Sequence, residues 1–142
     1  TAVPALEKNL KNPAAINNNE YFIGSFSPIF MSRNRVKAWH EQAFTVQASG
    51  RQCQLHPQAP KMEKHGTNDY RFVIGKEKLY RRMTVREVAR IQGFPDNYTQ
   101  IPWRNKSTED CPDSSRYKAI GNSMAVPVMR WIGQRLTAFL EK

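Results

Sequence analysis

The stretch Arg81-Arg82-Met83-Thr84-Val85-Arg86-Glu87-Val88-Ala89-Arg90-Ile91-Gln92-Gly93-Phe94-Pro95-Asp96 carries its own start and stop signals. Thr84 stands three residues before Glu87, the spacing at which hydroxyl and carboxylate each accept a backbone N–H at a helix start. Met83, just before the cap, is set to pack on Val88 as a hydrophobic staple. Val85, Val88 and Ala89 fall on one helical face, with Arg86 and Arg90 on the other. Gly93 supplies a left-handed stop, and Pro95 prevents the helix from resuming. The spacing predicts a scaffold helix over 84–92 that anchors less regular neighbours.

The same helix could be no more than a core helix with a basic outer face. Its residues also carry a resemblance. Arg82, Thr84, Glu87 and the run Arg90-Ile91-Gln92-Gly93-Phe94-Pro95-Asp96 resemble the ninth conserved block of the DNA cytosine-C5 methyltransferases. In that family the block holds the small target-recognising domain together and touches no substrate chemistry, so both readings make this helix scaffold.

Working outward, 142 residues are one domain's worth of chain and can bury a modest core. Lys and Arg outnumber Asp and Glu by 22 to 12, a formal charge of +10, which suits a polyanionic partner without naming which one. Two cysteines in a chain of this length do not suggest a disulfide framework, so a reducing cytoplasm is expected. No run approaches a membrane span, and mean hydropathy is −0.68.

Residues 1–20, with Pro4, Pro13 and three consecutive asparagines, read as a tether. Tyr21-Phe22-Ile23 and Ile29-Phe30-Met31 suit two short strands with a bend between them. Arg33 and Arg35 follow, two residues apart. In extended backbone they point to the same side, where two guanidinium forks can each take the O6 and N7 of a guanine. The spacing is equally that of solvated or phosphate-binding arginines. Residues 43–48 alternate apolar and polar, and Ser49-Gly50 reads as a turn from which Arg51 to Leu55 returns. Such a hairpin would bring Arg51 beside Arg33 and Arg35.

Here the resemblance narrows. Met31-Ser32-Arg33, Arg35-Val36 and the run from Phe44 to Pro60 resemble the target-recognition region of bacterial GGCC-modifying methyltransferases. Recognition regions differ greatly within that family, so this match is more specific than the one in the scaffold helix. It implies that Arg33, Arg35 and Arg51 read guanines in double-stranded DNA.

Tyr70-Arg71-Phe72-Val73-Ile74 is a further candidate strand, and Lys64, Lys76, Lys78, Arg81 and Arg82 are candidate phosphate contacts or an ordinary solvated face. Residues 97–116 read as a polar loop. Tyr117-Lys118-Ala119-Ile120-Gly121-Asn122-Ser123 leads to an amphipathic helix with Pro127 in its opening turn and Val128, Trp131, Ile132, Leu136, Phe139 and Leu140 on one face. Taken alone, this is a turn followed by a core helix. It also resembles the tenth and last methyltransferase block, which implies that Asn122 and Ser123 contact S-adenosylmethionine and that the helix packs on a catalytic domain.

A complete enzyme of that family needs a glycine-rich cofactor loop, a Pro-Cys nucleophile and a Glu that bonds the cytosine ring. A thiolate must add to C6 before C5 accepts the methyl group, and the base must leave the duplex to reach it. None of these motifs is in this sequence. Cys53 lacks a preceding proline and Cys111 is followed by one, so neither is assigned as nucleophile. Cys53, His56, His65 and Cys111 match no zinc-ligand spacing.

The expectation is an α+β chain: a tether (1–20), a target-recognition domain (21–116), and a final motif and helix (117–142) that returns to a catalytic domain or subunit. The resemblance implies a bacterial or phage-encoded, cytoplasmic protein. The rivals are a stand-alone DNA-binding module, and a basic RNA-associated structural protein that would lack the usual stacking motifs.

Overall fold

The computed structural model describes residues 27–99 and 112–141. Helix α1 (Val85–Ile91) forms where its signals place it, with both halves of the capping box closed. Thr84 Oγ1 accepts from Glu87 N at 3.1 Å, and Glu87 Oε2 accepts from Thr84 N at 2.9 Å. Met83 and Val88 share one buried cluster with Val85 and Ala89, as the staple requires. Gly93 takes φ = +80°, a left-handed geometry that stops the helix.

The remaining elements are arranged around an extended spine, Gln54-Leu55-His56, that is wholly buried. Leu55 N donates to Arg35 O at 3.0 Å. On the other side His56 N donates to Arg81 O and Met83 N to Gln54 O, at 3.0 and 3.1 Å. Leu55 thereby bridges Val36 in parallel and Arg82 in antiparallel sense. One apolar cluster, with Phe30, Val36, Leu55 and Tyr80, lies on the spine's first side; the second, with Cys53, Met83, Val88 and Tyr117, lies under α1. Strands β1 (Glu63–Gly66) and β2 (Asp69–Arg71) form an antiparallel hairpin whose turn puts Asn68 at φ = 59°. Helices α2 (Asp113–Asn122) and α3 (Val126–Leu140) complete an α+β chain. Among the described residues, no helix is long and apolar enough to cross a membrane.

Four local expectations change. Ile29-Phe30-Met31 is not a strand; Phe30–Ser32 is a 3₁₀ turn, because Ser27 accepts from Phe30 N through both its carbonyl (2.9 Å) and its hydroxyl (3.3 Å). Residues 43–55 are not a hairpin. Gly50–Gln52 is a second 3₁₀ turn, and the return strand pairs with Val36 and Arg82 instead of residues 43–48. The alternation in 43–48 still reports burial, since Phe44 and Val46 are half-buried between exposed neighbours. β2 ends at Arg71, where Phe72 leaves the ladder to stack on Tyr80 at 4.3 Å between ring centres. Finally, α2 begins within the expected polar loop and runs through Asn122. Asp113 in its first turn pairs with Arg116 at 3.0 Å, and Tyr117 and Ile120 give it a buried face. The tether, Tyr21-Phe22-Ile23, Cys111 and most of the 97–111 loop lie outside the described residues.

Candidate nucleic-acid interface

The 3₁₀ turn Phe30–Ser32 ends at Arg33, which is extended (φ −150°, ψ 157°) and exposed. Two residues on, Arg35 is 7% exposed. Its Nε donates to Phe30 O at 2.9 Å, and its Nη2 donates to Ile29 O at 3.1 Å and to Gln52 Oε1 at 3.0 Å. Its guanidinium also faces the Phe30 ring at 4.9 Å. Burial, and then the neighbouring Arg33 charge, lowers the Arg35 pKa from the usual arginine value.

Arg33 and Arg35 line a cleft of about 210 Å³, with Phe44, Val46 and Cys53 on its apolar side. Arg51 is exposed on the turn between Ser49 and Gln52, both of which line the same cleft. The structure therefore groups two arginines at the cleft and sets the third on its bordering turn. The expected hairpin is not what holds Arg51 there. Instead Gln52 binds Arg35, and Gln54 Oε1 accepts from Phe44 N at 3.1 Å.

The other wall is held by α2. A β-carbon on Gly50 would stand 2.7 Å from Tyr117 Cδ2, and one on Gly121 would collide with the Ala48 backbone nitrogen. These approaches press α2 onto 47–50, and Tyr117 Oη donates to Met83 O beneath. Asn122, the last residue of α2, is exposed, and Ser123 Oγ donates to Ile120 O. The Asn122 amide can donate to and accept from a carboxylate- or amine-bearing ligand such as S-adenosylmethionine. An exposed helix end makes one wall of such a site, not a whole one.

Among the candidate phosphate contacts, Lys64, Lys76 and Lys78 are exposed. Arg81 is not available. It is 3% exposed and grips Glu87 with both Nη atoms at 2.9 Å, while His56 Nε2 lies 3.8 Å from the same carboxylate. Arg82 is half-buried, 5.9 Å from the Phe30 ring centre. The sequence offered no local signal for the Arg81–Glu87 pair, because the capping box already accounts for Glu87. Nor did anything mark Gln52 or Gln54, whose partners lie 17 and 10 residues away. Cys53 is buried and its thiol donates toward Met83 O at 3.6 Å. Burial pushes it up to about 12, so it carries no thiolate at neutral pH.

Residues 5–138 match the model of the C-5 cytosine-specific DNA methylase family. The chain belongs to that family. It is 66% identical over its whole length to the type II methyltransferase M.NgoPII of Neisseria gonorrhoeae, 39% of which is covered. It is 52% identical to M.FnuDI of Fusobacterium nucleatum over 95% of the chain and 38% of that relative. It is 48% identical to M.BsuRI of Bacillus subtilis over 77% of the chain and 24% of that relative. The chain thus spans about two fifths, or less, of the curated relatives it matches. The methylase relationship suggested by the scaffold helix is established by these matches.

Proposed function

We propose that this chain is the sequence-reading part of a type II cytosine-C5 DNA methyltransferase whose site is GGCC or a degenerate relative of it. Arg33 and Arg51 present guanidinium forks to guanines in the major groove, and Lys64, Lys76 and Lys78 hold phosphates. Arg35 reads through Nη1, the nitrogen that its own hydrogen bonds leave uncommitted among the described residues. The observation that carries this reading is the arrangement of the three arginines at one cleft and its bordering turn, in a chain of this family. The type II names of the relatives fit a restriction–modification role.

S-Adenosylmethionine supplies the methyl group when bound. Asn122 contributes an amide to one wall of its site, and Ser123 holds the end of α2 in shape. Cys53, buried and protonated, is not the nucleophile, and Cys111 is followed rather than preceded by proline, so the nucleophilic cysteine belongs to the catalytic domain or subunit. This chain alone is therefore inactive.

The apolar face of α3 docks on the catalytic domain. Trp131, Leu136 and Phe139 are 57%, 58% and 75% exposed, apolar residues that the core formed by the described residues does not cover. A stand-alone binding module would need that face covered, so the exposure favours the methyltransferase reading. The test of base reading is Arg51→Ala, assayed on a set of GGCC duplexes each altered at one base pair. Loss of about 1–3 kcal/mol of discrimination at a single position supports it. An equal loss on every duplex makes Arg51 a phosphate contact.

A further inference from the structure

Arg35 and Arg51 sit on different limbs of the recognition segment, and one side chain joins them. Gln52 follows Arg51 in the turn Gly50–Gln52, and its Oε1 accepts from Arg35 Nη2 at 3.0 Å. The remaining Arg35 bonds go to main-chain carbonyls, Phe30 O and Ile29 O. Nε and both Nη2 hydrogens are thereby committed. Nη1 is the nitrogen left with both hydrogens to offer, among the described residues.

A guanidinium nitrogen discriminates bases only if its N–H groups arrive in one orientation, because a group that rotates freely loses both its geometry and its entropic advantage. The two carbonyls belong to the same turn and act as a pivot. Gln52 is the contact that comes from elsewhere, so it sets the rotation about that pivot. We propose that Gln52 is a specificity-positioning residue, holding Arg35 so that Nη1 faces the DNA and registering Arg35 against the limb that carries Arg51. This rests on the base-reading role proposed for Arg35 above.

The experiment compares Gln52→Leu, Gln52→Glu and Arg35→Lys in this chain. Binding is measured on the GGCC duplex, on its single-base-pair variants and on a scrambled duplex, with thermal melts as a check of folding. Leucine keeps the volume and removes the acceptor; glutamate keeps an acceptor at the same reach. Gln52→Leu should lower discrimination about tenfold at one guanine, the same guanine that Arg35→Lys affects, and leave the scrambled duplex bound as before. Gln52→Glu should restore that discrimination, and Gln52→Leu should add nothing in an Arg35→Lys background. Uniform weakening by Gln52→Leu, or a loss confined to the guanine read by Arg51, would overturn the positioning role. If Arg35→Lys discriminates as the parent does, the base-reading of Arg35 fails and the positioning role with it.

Discussion

Gly121 lies so close to Ala48 that a β-carbon on the glycine would collide with the Ala48 amide nitrogen. The contact joins the end of α2, beside Asn122, to the segment that leads into Arg51. Helix propensity alone favours alanine at an interior helical position by about 0.8–1.0 kcal/mol. Overpacking against a backbone that cannot rotate away costs about 1–3 kcal/mol, so the clash wins. Gly121→Ala should therefore destabilise the fold and lower DNA affinity. A rise in the urea midpoint would show that the helix and the recognition segment are not in contact.

Glu87 is the hub beneath the spine, accepting from Arg81 twice and from the Thr84 amide once, all at 2.9 Å. Removing one member of a buried pair leaves an uncompensated charge, at about 3–5 kcal/mol. Glu87→Gln should approach that loss in chemical denaturation, with Arg81→Met similar. The double replacement Arg81→Met with Glu87→Leu should be milder than the sum of its singles, because no charge is stranded. Additive losses would mean that the pair is not coupled.

Cys53 gives the pH dependence a sign. Its native thiol is raised from 9.0 to about 12 by burial, so the unfolded chain releases the proton first as pH rises. Its contribution is complete below pH 9 and declines between 9 and 12, at no more than about 1.4 kcal/mol per pH unit. Unfolding free energies measured from pH 8 to 10 should fall more steeply in the parent than in Cys53→Ala. Native Cys53 should also resist alkylation at pH 8 and react once unfolded. Rapid native alkylation would contradict its burial.

The α3 stripe is an outward face rather than core. Leu136→Asp should shift this chain's own stability by about 0.5 kcal/mol or less, as exposed positions do. Paired with the proposed catalytic domain or subunit, the same change should lower both Tm and methylation. No effect there would leave the stripe without the partner assigned to it.

The scaffold helix was legible because its signals are local: Thr84, Glu87 and Gly93 act on neighbours within one turn, and each does so in the structure. Segment 43–55 was legible in its burial but not in its path. Alternation at 43–48 correctly marked Phe44 and Val46 as inward, yet the strand facing them was misassigned. Leu55 pairs with Val36 and Arg82, and no spacing rule specifies a partner 19 or 27 residues away. Side-chain bonds from Gln52 and Gln54 replace the expected ladder, and such bonds leave no periodic trace. Arg81 is neither the phosphate contact nor the solvated charge that its sequence position allows, since a charged residue looks solvated until its buried partner is known.

The most direct test of the central claim is binding of this chain to a GGCC duplex and to a scrambled duplex of equal length across a salt series. Phosphate contacts weaken together as salt rises, whereas base contacts persist. A preference for GGCC should survive at higher salt and disappear when Arg33 and Arg51 are both replaced by alanine. Equal, steeply salt-sensitive binding to the two duplexes would contradict it, because only the +10 charge would then be felt.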